Sequence, residues 1–361
     1  MSESVNPRLV ISLACALAAG PTMGLAAEPA AGYFGEPALS SIADWDQFRR
    51  GLRQFSRVWS ELDGVGATFN ERSCLACHAV PMPGGAGLTT GTFVFVSARV
   101  VDEMGGHVFQ RFRRTGSGIF EQPPPDGFSR RKAPPLFGLG LLEKIPQETL
   151  VRPRGGPDHI QGRPGGTPGE FGRFGWKAGI PDLAHFVRTA FSVELGFGAK
   201  VQEGKDRVDL ENALDQVTTF VEMLSPPPGK SRGSPLEITG KELFEKIGCS
   251  QCHVSIFSGK FNRNGTAVEF EIRPYTDLLL HDMGPGLSDG ISDGAAGGSD
   301  FRTPPLWGLT SFGPPYLHDG RADNLAQAIE EHDGEARATR SRWQALQDDE
   351  RRALLCFLES L

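Results

Sequence analysis

The sequence predicts a mainly α-helical protein that is built from two similar halves, and three observations lead to this prediction. A motif of two cysteines and a histidine occurs twice, at residues 74–78 and 249–253. A proline-rich run follows each copy about fifty residues later, at 134–139 and 304–309. An apolar stripe with helical spacing comes after each run. The repeated order of these features indicates an internal duplication.

The repeated motif has the form Cys-x-x-Cys-His, which is typical of a covalently attached c-type haem. Its spacing lets Cys74 and Cys77 bond the vinyl groups of the haem while His78 ligates the iron. In the second copy the corresponding residues are Cys249, Cys252 and His253. A lone Cys-x-x-Cys pair would leave zinc binding or dithiol redox chemistry open. A histidine directly after both pairs favours two haems, so each half is expected to be a cytochrome c-like domain.

The first residues have the pattern of a secretory signal peptide, which we place at residues 1–27. Arg8 is its charged region, residues 9–19 are its apolar region, and residues 24–27 are the small residues of a cleavage site. The apolar run is too short to span a bilayer with ease, and no later segment approaches about 20 uncharged apolar residues. Export to the periplasm is therefore expected, in agreement with c-type haem, which is attached outside the cytoplasmic membrane.

The net charge limits the kinds of partner, and the local composition indicates where the chain divides into domains. The net charge of -7 argues against nucleic acid or anionic lipid as a partner. The stretch 225–235 is rich in proline, glycine and serine, which stiffen the chain and disfavour a packed element. The boundary is therefore expected between an N-terminal domain at 28–228 and a C-terminal domain at 229–361.

The apolar stripes predict an amphipathic helix in each half. The first stripe consists of Leu183, Phe186, Val187, Ala190 and Phe191, and the second of Leu325, Ala328, Ile329 and His332. The second stripe therefore ends on a histidine. Further helices are expected at 240–247, capped by Thr239, and at 348–360, which has acidic residues in its first turn.

Segments without a regular pattern are expected to form loops. The Gly- and Pro-rich stretches 152–172 and 284–299 are predicted to be irregular surface loops. Strand signals are sparse, and residues 92–96 carry the best one. The sequence therefore predicts two mostly helical domains that pack together.

Several stretches resemble the bacterial di-haem cytochrome c peroxidase and MauG superfamily, and especially its branch of di-haem oxidoreductases sometimes labelled thiol oxidoreductases. They span most of the mature chain and read CLACHAVP, APPLFGLGLLEKIP, GRFGWKA, CSQCH, DLLLHDMGPGL, FRTPPLWGL and YLHDGRADNLAQAIEEHDGEA. The resemblance implies that the N-terminal haem is the peroxide site and that the C-terminal haem passes electrons.

The resemblance also implies two functional residues in the first half. In the superfamily a tryptophan lies between the haems, and Trp176 stands at the corresponding place, although it could equally belong to the core. A distal glutamate of the superfamily matches Glu194, while the Asn, Pro and Met of the family motif are absent here. A buried carboxyl group can take a proton from one peroxide oxygen and return it to the other. The alternative is a solvated glutamate just past a helix.

Three more residues are candidates near the haems. His185 lies near the place of a glutamine in relatives, but on the helix face opposite Leu183 and Phe186, where it can equally meet water. For the second haem the resemblance implies a sixth ligand one helix after the His-Asp-Gly motif, which indicates His332. A histidine satisfied in the core is the alternative. Met283 is the competing ligand and would give a higher potential than a second imidazole. The sixth ligand of the first haem stays open.

One departure from the superfamily concerns calcium. The peroxidases hold an inter-haem calcium partly through an asparagine, and this chain has Lys132 in that region. An ammonium group cannot ligate a cation and would repel it. Calcium is therefore expected to be absent.

Three hypotheses for function follow. The first is a periplasmic di-haem oxidoreductase that reduces hydrogen peroxide with electrons from a small cytochrome c or copper protein. The second is an electron-transfer cytochrome with both irons six-coordinate and no substrate chemistry. In the third the substrate is a partner protein whose side chains are oxidised, as MauG does. A homodimer is compatible with the sequence. The sequence does not select a substrate, because specificity lies in loops that composition does not decode.

Overall fold

The computed structural model describes most of the chain after the region assigned to the signal peptide. The described ranges are 42–87, 93–102, 106–152, 156–158, 160–198, 206–263 and 265–361. The predicted signal peptide at 1–27, the start of the N-terminal domain and Thr92 lie outside the described residues.

Within these ranges the structure has eleven α-helices and three 3-10 turns. The helices are α1 Ile42–Ser56, α2 Cys74–Cys77, α3 Leu139–Glu143, α4 Gln147–Leu150, α5 Leu183–Val193, α6 Asp206–Met223, α7 Pro235–Lys246, α8 Leu309–Phe312, α9 Leu325–Glu330, α10 Arg337–Ala345 and α11 Asp348–Glu359. The 3-10 turns are Glu61–Asp63, Cys249–Gln251 and Gly334–Ala336. The helices predicted from the two apolar stripes and at 240–247 and 348–360 are confirmed as α5, α9, α7 and α11. The predicted cap was wrong, because α7 begins at Pro235 with Ser234 as its N-cap, and Thr239 lies inside the helix. Helix α9 ends at Glu330, so His332 lies just beyond it.

The described residues also form ten short strands, which is more than the sequence analysis predicted. They are β1 Thr68–Phe69, β2 Phe93–Val96, β3 Val108–Phe109, β4 Phe112–Thr115, β5 Gly118–Glu121, β6 Ser129–Lys132, β7 Phe257–Arg263, β8 Thr266–Ile272, β9 Leu280–Asp282 and β10 Asp300–Arg302. All pairs are antiparallel, in the orders β1-β4-β5, β3-β2-β6, β7-β8 and β9-β10. Most are too short to leave an alternating pattern in the sequence. The longer β7-β8 hairpin has Gly265 at its turn, with φ of 85°.

The core of the N-terminal half forms where α1 crosses α6. At Gly51 an added Cβ would lie 2.3 Å from the carbonyl oxygen of Gln216, so a glycine is needed for this close approach. Beside the crossing, Phe48 and Phe55 pack against Phe220, with ring centroids 5.0 and 4.9 Å apart. These rings are buried and anchor the helix that leads to the first motif.

The C-terminal half has a similar crossing between α7 and α11. An added Cβ at Gly240 would lie 2.1 Å from the carbonyl oxygen of Ala353. Phe244 packs beside it against Phe357 and Tyr275, with ring centroids 5.4 and 5.9 Å away. In each half, therefore, a helix pair joined through a glycine carries the aromatic core that lies next to a Cys-x-x-Cys-His motif.

The two halves are in contact through their proline-rich runs. Trp307 of the second run is buried and belongs to the same apolar cluster as Leu136 and Phe137 of the first. A Cβ added at Gly138 would lie 2.2 Å from the indole ring of Trp307. The stretch between α6 and α7 has no regular structure, as its composition predicted. The division into domains at residue 228 stays a prediction.

The Gly- and Pro-rich insertion at 152–172 is irregular, as predicted, but its described residues are fastened to the C-terminal half. The backbone of Arg163 exchanges two hydrogen bonds with Leu280, at 3.0 and 2.9 Å. The Asp158 carboxylate accepts a hydrogen bond from Arg342 at 2.8 Å and another from the Gln251 amide at 3.1 Å. Composition alone predicted irregular backbone but could not show what this backbone binds. Within the described residues no helix combines the length and apolar composition needed to cross a membrane.

Candidate functional site

The first Cys-x-x-Cys-His motif lies on the wall of the cavity that we take as the candidate active site. Helix α2 carries Cys74 and Cys77, and His78 ends it. All three line a cavity of about 500 Å³, a size typical of small-molecule and cofactor sites. Its wall is largely apolar and includes Phe55, Val94, Val96, Leu136, Phe186 and Val187. Residues Ile291, Asp293 and Gly294 complete it from the C-terminal half.

The imidazole of His78 is oriented by the backbone. Its Nδ1 lies 3.1 Å from the carbonyl oxygen of Gly85, so the N–H of this nitrogen donates to that oxygen. Burial lowers the pKa of His78 to about 4, which leaves the ring neutral at physiological pH. A neutral ring with Nδ1 bound to the backbone has Nε2 free as a ligand, the usual arrangement of a metal-binding histidine.

The two thiols of this motif are poor candidates for dithiol redox chemistry. Burial raises the pKa of Cys74 to about 12 and also raises the pKa of Cys77. Reactive redox cysteines instead have lowered pKa values. Among the described residues no group of three or more His, Cys, Asp or Glu side chains is placed to hold a metal ion.

Glu194 lies on the same cavity, at the end of α5. Its Oε2 accepts a hydrogen bond from the Asn70 side-chain amide at 2.7 Å, and its carbonyl oxygen accepts from the backbone of Asn70 and Glu71 at 2.7 and 3.1 Å. Burial raises the pKa of Glu194 to about 7, the bond from Asn70 opposes this rise, and the charge of Asp102 adds to it. A carboxyl group with a pKa near 7 can both accept and release a proton at neutral pH.

Trp176 lies between the two halves and also borders the cavity. Its indole Nε1 donates to the carbonyl oxygen of Lys132 in β6 at 3.0 Å. Its own carbonyl oxygen accepts from the backbone N–H of Arg302 in β10 at 2.9 Å. The guanidinium of Arg131 lies 5.5 Å from the ring centroid. Trp176 is half-buried and is bonded to β6 through its indole and to β10 through its backbone carbonyl. Its role as an electron relay stays a prediction.

His185 borders the cavity from an exposed position on α5. Its backbone N–H donates to the N-cap carboxylate of Asp182 at 2.7 Å. The expectation that its helix face meets water is confirmed by this exposure. The structure therefore brings His185 to the cavity, although it is exposed whereas Glu194 is half-buried.

The second motif has its histidine held in the same manner as the first. His253 Nδ1 lies 2.9 Å from the carbonyl oxygen of Tyr275, and burial lowers the pKa of His253 to about 4. The charge of His332 contributes to this lowering. His332 Nδ1 is 2.7 Å from the carbonyl oxygen of Ala328, which leaves its Nε2 free. His253 and His332 are the residues that would hold the iron at this motif.

The backbone segments that carry Met283 and His332 pack against each other. An added Cβ at Gly284 would lie 2.8 Å from the backbone nitrogen of Gly334, so the two loops are in contact. Met283 itself donates its N–H to the carbonyl oxygen of Ser299 at 2.9 Å. The segments that carry the two candidate ligands are therefore in one region. The assignment stays a prediction.

Several residues that the sequence analysis did not assign take part in these sites. Asn70 and Glu71 contact Glu194, and His107 borders the first cavity with Nδ1 held by the Val100 carbonyl at 2.6 Å. They are separated from Glu194 by long stretches of chain, so no local pattern could have indicated them.

A buried network of charges lies beside the second motif. His281 is 2% exposed, with Nε2 3.0 Å from Asp277 and Nδ1 2.7 Å from Glu335. Burial opposes protonation, but these hydrogen bonds raise the pKa of His281 to about 12. Its Nδ1 also lies 3.5 Å from the sulfur of Cys252. The spacing of Asp277 and His281, four residues apart, was the one local signal of this network.

Lys132, whose charge predicted the absence of calcium, is engaged with backbone. Its ammonium donates to the carbonyl oxygen of Pro315 at 2.7 Å, and burial lowers its pKa. A positive charge therefore occupies this position between the halves. Calcium independence stays a prediction.

The residues of both motifs fit haem. Each offers two half-buried thiols and one neutral histidine whose Nδ1 is held by a backbone carbonyl, and the first adds an apolar cavity. When the chain is compared with protein families, residues 194–361 match the family described as "Di-haem oxidoreductase, putative peroxidase". The matched segment begins at Glu194 and contains the second motif. No curated protein matches the sequence.

Two solved structures are similar over nearly the whole chain, but only distantly. Hydrazine synthase of Kuenenia stuttgartiensis has 14% identity and a TM-score of 0.41, with 95% of this chain and 100% of that chain covered. A MauG-like protein associated with microbial copper homeostasis has 14% identity and a TM-score of 0.45, with 93% and 95% covered. Neither likeness is close enough to support an inference. The family match, by contrast, confirms the resemblance inferred from the motifs: over residues 194–361 this chain is similar to the di-haem oxidoreductases.

Proposed function

We propose that this protein is a periplasmic di-haem peroxidase that reduces hydrogen peroxide at the first motif. Its haems would be attached covalently through Cys74 and Cys77 and through Cys249 and Cys252. The observation that carries the proposal is the position of Glu194. This carboxyl group, with a pKa of about 7, borders the same cavity as His78 and is held there by Asn70.

The protein's part in the reaction is to bind, orient and supply protons. When bound, the haem iron supplies the electrons that split the oxygen–oxygen bond, and hydrogen peroxide with two electrons and two protons yields two waters. Glu194 takes the proton from the near oxygen of peroxide and returns it to the leaving oxygen. The apolar wall around it limits water, so a fixed carboxyl group moves this proton better than solvent does.

Electrons would enter at the second motif and leave at the first. His253 and His332 suit an electron-transfer centre, because an iron with two protein ligands has no open position for a substrate. Trp176 bonds both β6 and β10 and borders the first cavity, which supports its proposed role as an electron relay. A small cytochrome c or a copper protein is the donor that fits this scheme.

The two other hypotheses make different use of the same centres. A pure electron-transfer cytochrome would also need the cavity for its haem, but it has no use for a carboxyl group with a pKa near 7 there. Oxidation of a partner protein, as in MauG, uses the cavity but delivers the oxidising equivalents to a surface. We favour peroxide reduction because Glu194 serves a step of that reaction directly.

Resting spectra combined with a peroxide titration test the proposal. One five-coordinate, high-spin ferric centre is expected in the electron paramagnetic resonance spectrum, together with peroxide consumption of one equivalent per two electrons donated. Two six-coordinate low-spin centres without peroxide turnover would favour the electron-transfer cytochrome. Turnover that requires a protein substrate instead of an electron donor would favour the MauG-like reaction.

A further inference from the structure

The ammonium group of Lys177 is enclosed by oxygen atoms of the segment 289–301. Its Nζ donates to the carbonyl oxygens of Gly297 and Gly298 at 3.0 and 3.1 Å. It lies 3.3 Å from Oδ1 of Asp289 and 3.7 Å from the ring centroid of Phe301. The side chain is 0% exposed. The ammonium therefore has a carboxylate, two carbonyls and an aromatic face around it, which we call the Lys177 cage.

The charges at the Lys177 cage suit one monovalent cation. The second oxygen of Asp289 accepts from Nε and Nη2 of Arg131 at 3.0 and 2.6 Å, and both side chains are buried. Asp300 adds a carboxylate within electrostatic reach of Lys177. Burial lowers the pKa of Lys177 to about 8 and Asp289 opposes this, so the ammonium stays charged at neutral pH. Arg131 would repel a divalent ion placed next to it.

We propose that Lys177 is the built-in monovalent cation of this cage and that it holds the segment 289–301 against the Trp176 segment. Trp176 directly precedes Lys177 in the chain. Strand β10 begins at Asp300, directly after Ser299 and the cage carbonyls of Gly297 and Gly298. The backbone N–H of Arg302 in this strand donates to the carbonyl oxygen of Trp176. The ammonium and this backbone bond thus fasten the same two segments. Trp176 is an electron relay only under the proposed function, so the claim that Lys177 positions a relay rests on that function. The claim that Lys177 is the cation of the cage does not rest on it.

Chemical rescue gives a direct test of this role. Lys177→Ala removes three carbons and the ammonium, which are the atoms of propylammonium. The melting temperature of the purified haem-loaded variant is expected to fall by roughly 5 °C, because the oxygens of the cage lose their cation. Propylammonium chloride should restore at least half of this fall. The uncharged 1-propanol, of similar length, should restore none.

A matched control separates this effect from general stabilisation by the salt. The ammonium of Lys132 also lies between the halves and is partly buried, but it donates to the carbonyl of Pro315. Lys132→Ala should gain no more from propylammonium than the parent does. Equal rescue of both alanine variants, or equal rescue by 1-propanol, would overturn the proposal.

A second variant decides the question if Lys177→Ala does not fold. Lys177→Met keeps most of the side-chain volume and removes only the charge. Hydrogen exchange measured by mass spectrometry should become about tenfold faster or more in residues 289–301, since local opening is then easier. The exchange of α1, far along the chain, should be unchanged. Parent-like exchange in residues 289–301 would show that the charge holds nothing there. Neither readout involves peroxide, so failure of this inference leaves the proposed peroxidase activity standing.

Discussion

The two Cys-x-x-Cys-His motifs have nearly the same surroundings on the side that fixes the histidine. His78 and His253 each have Nδ1 near a backbone carbonyl, at 3.1 and 2.9 Å. Each lies 6.4 Å from a phenylalanine ring, with interplanar angles of 51° and 53° to Phe55 and Phe244. Burial lowers the pKa of both histidines to about 4. The two motifs therefore hold their histidines in the same way.

The motifs differ in what lies around the free side of the histidine. The first lines a cavity of about 500 Å³ that Glu194 also lines, whereas His332 is the candidate second ligand at the second motif. A cavity with a proton carrier suits chemistry on a substrate, and a second imidazole suits electron transfer. Under the proposed function, one motif would serve two tasks through residues distant in the chain.

The largest expected effect comes from removing one attachment site at a time. Mature protein should carry two haem adducts in mass spectrometry. A Cys74→Ala, Cys77→Ala double variant should carry one and lose all peroxide turnover, because the substrate site is gone. The matched Cys249→Ala, Cys252→Ala variant should keep the haem adduct of the first motif. It should lose only the peroxide turnover that an external electron donor drives. Fewer than two adducts in the parent would contradict the haem assignment of both motifs.

Exchange of the second histidine tests the other half of the comparison. His332→Ala should convert the second centre from low-spin to high-spin, because its iron would lose the sixth ligand. Met283→Ala serves as the control and should leave that centre low-spin. Electron paramagnetic resonance distinguishes these states. A charge-transfer band typical of methionine ligation that disappears in the Met283 variant would reverse the assignment.

Glu194→Gln tests whether the cavity of the first motif works through a proton carrier. Glutamine keeps the size and can still bond Asn70, but it cannot exchange the proton, so turnover with peroxide should fall by about 10² to 10⁴. The haem spectra should stay nearly unchanged. Glu170→Gln is the control, since this exposed carboxylate also borders the cavity. If the Glu194 variant turns over like the parent, the carrier lies elsewhere, and Glu71 and His185 become the next candidates.

The residues that could be predicted from the sequence are those fixed by short spacing. Cysteine and histidine must be adjacent in the chain to attach a haem, so both motifs were visible, and α5 and α9 followed from their apolar stripes. The bond between Asn70 and Glu194 joins residues 124 positions apart, and the cage of Lys177 joins residues 120 apart. Such contacts depend on the packing of segments that are distant in the chain, which leaves no local pattern. Most of the strands were missed because they are too short to leave an alternating pattern, although 92–96 was predicted and overlaps β2.

The smallest expected effect is the change in protein stability that accompanies protonation of Glu194. Its pKa is raised from 4.5 to about 7 in the folded protein, so the folded state binds this proton more tightly than the unfolded state. The stabilisation is therefore fully present below about pH 4.5 and is lost as the pH rises through about 7. The difference in melting temperature between the parent and Glu194→Gln should shrink or change sign over this range. A difference independent of pH would mean that the carboxyl group titrates normally.

The same proton gives a pH dependence of the reaction with the opposite direction. Glu194 must be deprotonated to accept a proton from peroxide, so kcat/KM should fall by about tenfold for each pH unit below about 7. Above that value it should level off. In Glu194→Gln the residual activity should be flat through this range, because the titrating group is gone. At the second motif no such group is required, so electron exchange with a donor should stay nearly constant. A parent profile without an inflection near 7, or the same inflection in the Gln variant, would assign the proton transfer to another residue and remove the chemical distinction between the two motifs.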